Sequence, residues 1–225
     1  MTEPLARRLV AEWLGSVLLA ATVIGSGVMA ENLAGGNMAV ALIANTGATV
    51  ATLFVLIKLL SPVSGAHFNP AVSLALAQRR AIAPIDALGY VVVQIAGCCC
   101  GAWLAHAMFA LPIVETSHHV RSGAAQFVSE MVATFGLLLV VLGHARANDA
   151  AAMVAAWIGA AYWFTASTSF ANPAITVARA LTDTFAGIRP QDAPAFIAAQ
   201  LLGAALATWA AAMLFPARQR AASDS

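Results

Sequence analysis

Two stretches, HFNPAVSLAL (67–76) and FANPAITVAR (170–179), carry the same Asn-Pro-Ala triplet at corresponding places. Asn is among the best helix N-caps, and Pro is favoured at the first helical position, where its missing N–H leaves no partner unsatisfied. Asn69-Pro70-Ala71 and Asn172-Pro173-Ala174 therefore read as two helix starts. The apolar pieces around them, near 67–78 and 171–182, are too short to span a membrane, which takes about 20 residues. Each is expected to be a half-helix that enters the membrane and returns. Non-helical backbone at that depth is tolerated only where it is buried in protein or lines a cavity. Two broken segments in matching positions thus point to a pore or a binding site.

Outward from these pieces lie six longer apolar stretches, near 8–30, 37–60, 84–109, 123–143, 150–170 and 192–215. Charged residues make up 9% of the chain and apolar residues 61%, with a mean hydropathy of +0.83. An ordinary soluble domain carries roughly 25% charge, so lipid is the solvent for most of this chain. Arg7 and Arg8 before the first run resemble a signal-peptide start, but the run is long and further spans follow, so it reads as a retained first helix. A net charge of +1 without a basic run gives no purchase on nucleic acid.

The two halves are related. Glu12 and Glu130 open the first helix of each, followed three residues later by Gly15 or Ala133. Gln94 and Gln200 sit in the third helix of each, followed by Gly97 and Gly101 or by Gly203 and Ala207. Similarities in the same order indicate duplication. Three full spans per half force the second half to insert upside down, an inverted repeat over about 8–109 and 123–215 within a single channel domain, 1–225. The first half is the longer before its Asn-Pro-Ala, and the extra length is expected as a loop around ENLAGGN (31–37). With a cytoplasmic N-terminus, Arg7, Arg8, Lys58, Arg79, Arg80, Arg146, Arg218 and Arg220 lie inside and Arg121, Arg179 and Arg189 outside. That satisfies the positive-inside rule and puts both termini in the cytoplasm.

A capping Asn accepts through its carboxamide oxygen, which leaves its NH₂ to donate to whatever occupies a pore. Two helix N-termini facing one constriction, each with about half a positive charge, would repel cations and orient the oxygens of a neutral solute.

SGAHFNPAV (64–72), the second Asn-Pro-Ala, the two glutamates and the two glutamines resemble the aquaporin, or major intrinsic protein, family from Leu9 to Phe215. The resemblance implies an all-α membrane protein with six transmembrane helices and two re-entrant half-helices. It implies a homotetramer in the bacterial inner (plasma) membrane, with one pore per protomer, no cofactor and no metal. Glu12, Glu130, Gln94 and Gln200 would then be structural, the glutamates accepting from the backbone of the re-entrant loops, and His67 would be a neutral pore-wall residue.

The family builds a selectivity filter from four positions, one normally an Arg directly after the second Asn-Pro-Ala. Here that position is Ile175, Ser169 falls three residues before Asn172, and ungapped counting puts the other two on Thr49 and Ala160. Small residues in place of an aromatic and a His imply a widened constriction. The chain also resembles a bacterial aquaglyceroporin-like subgroup associated with arsenic-resistance genes, whose segment after the second Asn-Pro-Ala reads much like ITVARALTDTFAGIRP (175–190). That implies passage of arsenous acid or methylated arsenicals, glycerol, and also urea and water. Arg179 is expected either to guard the outer mouth, or to form an ordinary salt bridge, for example with Asp183 at i+4, or to be solvated in the vestibule.

The alternatives are a water-selective channel and, less favoured, a proton-coupled secondary transporter. A membrane enzyme finds no support, because no zinc motif, paired intramembrane aspartates or Gly-x-Ser-Gly is present and His106, His118, His119 and His144 are scattered. Cys98, Cys99 and Cys100 are consecutive and apolar in setting, without metal-ligand spacing.

Overall fold

A computed structural model describes residues 3–143 and 147–215. Arg146, Arg218, Arg220 and His144 lie outside the described residues. Eight helices follow in order: α1 (Leu5–Leu33), α2 (Met38–Ser64), α3 (Pro70–Gln78), α4 (Pro84–Met108), α5 (Ala124–Gly143), α6 (Ala147–Phe164), α7 (Pro173–Arg179) and α8 (Ala193–Leu214). Five of them, α1, α2, α4, α5 and α8, are long and apolar enough to cross a membrane. The sixth, α6, is shorter than the sequence stretch 150–170 suggested and stops at Phe164. Beyond it the chain must turn back into the protein, and Thr168, Ser169 and Ala171 take left-handed backbone there.

The extra length of the first half is helix rather than loop. α1 has 29 residues and α2 has 27, against 20 in α5 and 18 in α6. Glu31, Asn32 and Leu33 of the expected loop are helical. Gly35 and Gly36, with φ of 55° and 84°, reverse the chain tightly. Asn37 then caps α2, accepting from Ala39 and Val40 N–H at 3.1 and 3.3 Å.

α1 packs on α4 and, at the equivalent place, α5 on α8. Small residues let these pairs approach until backbone meets backbone. A Cβ built on Gly97 would stand 2.6 Å from the Trp13 carbonyl oxygen, and one on Gly203 would stand 2.3 Å from that of Met131. Trp13 and Met131 each follow the repeat's glutamate. Gly203→Ala is therefore expected to destabilise the α5–α8 pair by about 1–3 kcal/mol, the usual cost of overpacking. A lowered melting temperature in detergent would register it; an unchanged one would mean that the helices part freely.

The repeats differ where a large residue exchanges for a small one. A Cβ on Gly15 would fall 2.1 Å from the Phe68 ring, so glycine makes room for phenylalanine. In the second half the same two places are Ala133 and Ala171. Large side chains such as Val10, Ile43, Leu59, Ile85, Val92, Trp209 and Met213 are exposed on the outside, while the buried polar set includes Glu12, Gln94, Glu130 and Gln200. This apolar-out arrangement suits a lipid solvent. Cys98 is buried, and Cys99 and Cys100 are half-buried free thiols.

Candidate pore and selectivity site

Residues 65–69 and 165–172 carry no helix and run through the interior. Ala66 and Phe68, with φ of 52° and 49°, match Ser169 and Ala171, with φ of 51° and 48°, at the same repeat positions. Left-handed backbone at a non-glycine residue costs about 1–3 kcal/mol and persists only where the surroundings enforce it. The enforcing groups are the two glutamates. Glu12 accepts from the backbone N–H of His67 at 2.9 Å and of Phe68 at 2.7 Å. Glu130 accepts from Phe170 and Ala171, each at 2.9 Å.

The glutamines complete each set. Gln94 Nε2 donates to Glu12 at 2.8 Å and to Ser73 Oγ at 2.9 Å. Gln200 Nε2 donates to Glu130 at 2.6 Å and to Thr176 Oγ1 at 2.9 Å. Glu12 has a fourth donor, Ser64 Oγ at 2.6 Å. A carboxylate saturated in this way is an anchor for backbone.

Both Asn-Pro-Ala asparagines cap their half-helices. Asn69 Oδ1 accepts from Ala71 N–H at 2.9 Å, and Asn172 Oδ1 from Ala174 at 2.9 Å and Ile175 at 3.3 Å. Their NH₂ groups are not wholly free, as the sequence reading had them. Asn69 Nδ2 donates to the Ala171 carbonyl and Asn172 Nδ2 to the Phe68 carbonyl, each at 2.8 Å. This reciprocal clasp joins the two half-helices tip to tip and leaves one N–H of each amide for an occupant of the cavity beside them.

That cavity has a volume of about 150 Å³, room for several water-sized molecules. Leu19, Val23, Leu53, Ile57, Leu137, Val141, Val154 and Ile158 give it aliphatic wall; Asn69, Asn172, His67 and the two loops give it polar surface. The His67 ring is fixed by Ser73 Oγ at 3.0 Å from Nδ1 and by an edge contact with Tyr90 at 5.1 Å.

Thr49, Ser169 and Ile175 all line this cavity. Ala160 does not; it is exposed on the outer face of α6, and Tyr162 stands in the wall instead. The reason is helical phase. Val154, Ile158 and Tyr162 are four residues apart and share the inward face, whereas Ala160 is two residues from either neighbour, about 200° round the helix. Counting back from Asn172 assumed the wrong length for the intervening loop; the 3.6-residue period of α6 carried the signal that identifies Tyr162. The cavity wall therefore sets a small residue, Thr49, beside an aromatic one, Tyr162. Tyr162 OH lies 3.3 Å from Thr49 Oγ1, and buried Ser169 Oγ has no hydrogen-bond partner among the described residues.

One turn further along α7 from Ile175, Arg179 is 3% exposed and also lines the cavity. Its Nε donates to the Ala186 carbonyl, and its guanidinium lies 3.4 Å from the Phe170 ring centroid. It forms no salt bridge with Asp183. That carboxylate takes the His118 backbone N–H at 2.7 Å and Nδ1 at 3.0 Å, and these two bonds, the backbone one first, hold its pKa below the ordinary value.

A second cation, which the sequence gave no reason to single out, stands next to this one. Arg121, from the connection between α4 and α5, donates Nε to the Gly187 carbonyl at 2.7 Å and Nη2 to that of Phe185 at 3.3 Å. Its guanidinium is 5.3 Å from the same Phe170 ring. Among the described residues no group of three or more His, Cys, Asp or Glu side chains is placed to hold a metal ion.

Residues 1–170 match the family model described as major intrinsic protein. The chain is 52% identical to the aquaglyceroporin AqpS of Rhizobium meliloti (strain 1021), over 95% of this chain and 93% of that protein. It is 32% identical to nodulin-26 of Glycine max over 67% of this chain and 55% of that protein. The crystal structure of the aquaglyceroporin from Plasmodium falciparum superposes with a TM-score of 0.70 at 20% identity, covering 92% of this chain and 95% of that one. It shares the fold.

Proposed function

Because the chain belongs to the major intrinsic protein family, we propose that it is a passive channel for small uncharged solutes. Glycerol, arsenous acid or methylated arsenicals, urea and water are its permeants, and ions and protons are excluded. The working unit is a homotetramer in the inner membrane with both termini cytoplasmic, and no covalent chemistry or cofactor takes part.

The observation that carries this reading is the lining beside Ile175. Three hydroxyls, of Thr49, Tyr162 and Ser169, meet an aliphatic wall with no cation at position 175. Ser169 Oγ lacks a partner among the described residues, and the long Thr49–Tyr162 contact of 3.3 Å exchanges readily for bonds to a solute. A solute bearing several hydroxyl groups can replace its lost hydration here and at the spare asparagine N–H groups, while its carbon or arsenic centre rests on Ile175. Among the described residues a bare cation finds no anionic side chain in the lining, and it meets Arg179 and two half-helix N-termini.

Tyr162 favours the second reading, a water-selective channel, because it restores bulk that small residues at both positions would have removed. A proton-coupled transporter is disfavoured by the donors that saturate Glu12 and hold Glu130, since a carrier carboxylate must be free to release and regain its proton.

Arg179→Ala tests the exclusion mechanism. A unit charge about 6 Å from a passing cation opposes it by about 3 kcal/mol at an effective dielectric constant of about 20. Its removal is expected to raise potassium leak into proteoliposomes by roughly tenfold to a hundredfold, with glycerol flux within about twofold of the wild type. An unchanged leak would remove Arg179 from the account.

A further inference from the structure

Arg179 is held by the 185–188 loop, whose Ile188 N–H donates to the Arg179 carbonyl at 3.1 Å. The Arg179 Nε is bound by the Ala186 carbonyl, and the two residues flanking Ala186 both give their carbonyls to Arg121: Gly187 at 2.7 Å and Phe185 at 3.3 Å. A third contact, 3.5 Å from Arg121 Nη1 to the Ser167 carbonyl, ties the same side chain to the loop that carries Ser169. The Arg121 backbone is fixed in turn, its N–H donating to Asp192 Oδ2 at 2.9 Å.

The charges are equally informative. Every side-chain acceptor of Arg121 is a carbonyl, as is that of Arg179. Among the described residues no carboxylate forms a salt bridge with either. Both guanidinium groups converge on one Phe170 ring, at 5.3 and 3.4 Å from its centroid, but only that of Arg179 lines the cavity, where a neutral acceptor leaves its charge uncompensated.

We infer that Arg121 is a positioning residue for Arg179: by forking across the Phe185 and Gly187 carbonyls it fixes the Ala186 carbonyl that holds the Arg179 guanidinium on Phe170 at the outer mouth. This inference rests on the reading of Arg179 as the guard against cations. It assigns a selectivity role to a side chain that is absent from the cavity lining and comes from a different connection of the chain.

The test is a double-mutant cycle read as potassium leak and glycerol flux in proteoliposomes, with Arg121→Gln, Arg179→Ala and the pair. Losing bonds from a charged donor shifts a local equilibrium by roughly tenfold or more. Arg121→Gln is therefore expected to raise potassium leak roughly tenfold towards the Arg179→Ala value while glycerol flux is retained. The double variant should leak no more than Arg179→Ala alone, because Arg121 acts through Arg179. If Arg179→Ala leaks and Arg121→Gln does not, or if the two effects multiply, the positioning role is wrong and the guard stands. If Arg179→Ala does not leak, the guard reading itself fails. Should Arg121→Gln not insert as a folded protein, Arg121→Lys carries the test. It keeps the charge but loses the fork, so an intermediate leak is expected and a wild-type leak overturns the inference.

Discussion

Glu12→Leu is expected to abolish the folded channel. The carboxylate accepts from Ser64 Oγ, His67 N–H, Phe68 N–H and Gln94 Nε2, all between 2.6 and 2.9 Å. Leucine fills similar space and satisfies none of them. Each buried donor left without an acceptor costs about 1–3 kcal/mol, so the four together rival the whole stability of a typical domain, about 5–15 kcal/mol. The left-handed residues Ala66 and Phe68 would also lose what holds them. Size-exclusion chromatography in detergent should show aggregate in place of a discrete oligomer. Glu12→Gln keeps one acceptor oxygen and is expected to fall between the two. Glu130, with three donors, should follow the same order with a smaller loss. A monodisperse, active Glu12→Leu protein would mean that the loop is held by its packing against Gly15 and not by the carboxylate.

Ile175→Arg should close the pore to glycerol while sparing water. Ile175 lines the cavity together with Thr49, Tyr162 and Ser169, and is 4% exposed. A guanidinium there would occupy the space where the solute's carbon atoms slide, compete for Ser169 Oγ, and stand one helical turn from Arg179. The expected result is a fall in glycerol flux of at least about tenfold, equivalent to about 1.4 kcal/mol in the barrier, with water permeability within a few-fold of the wild type. Ile175→Val, a change of one methylene, serves as control and should pass both. Undiminished glycerol flux in Ile175→Arg would show that the constriction lies elsewhere along the cavity.

The features legible in the sequence were those that chemistry ties to particular residue types. Asn is a favoured N-cap and Pro a favoured first helical residue, so the paired Asn69-Pro70 and Asn172-Pro173 announced two half-helices, and the glutamate–glutamine pairs recur because each loop needs an acceptor and a brace. Loop geometry was less accessible. Residues 165–171 have no period to count, so a position inferred across them slipped from Tyr162 to Ala160, although the helical phase of Val154 and Ile158 would have corrected it. ENLAGGN looked like loop by composition, but tight reversal at Gly35–Gly36 let α1 run through Leu33. Arg121 was read as one of three outer charges and nothing more. Its place beside Phe170 depends on contacts between residues more than forty positions apart, which no local pattern encodes.

The central claim, a pore wide enough for neutral polyhydroxy solutes, is tested most directly by stopped-flow light scattering on proteoliposomes of the purified protein. These would be challenged in turn with glycerol, urea, arsenous acid and an impermeant osmolyte. The account predicts shrinkage followed by solute-driven re-swelling well above that of empty liposomes, with no dependence on an ion gradient. Rapid shrinkage in every osmolyte without re-swelling would contradict it, and would mean that Tyr162 and Arg179 narrow the pore to water despite Ile175.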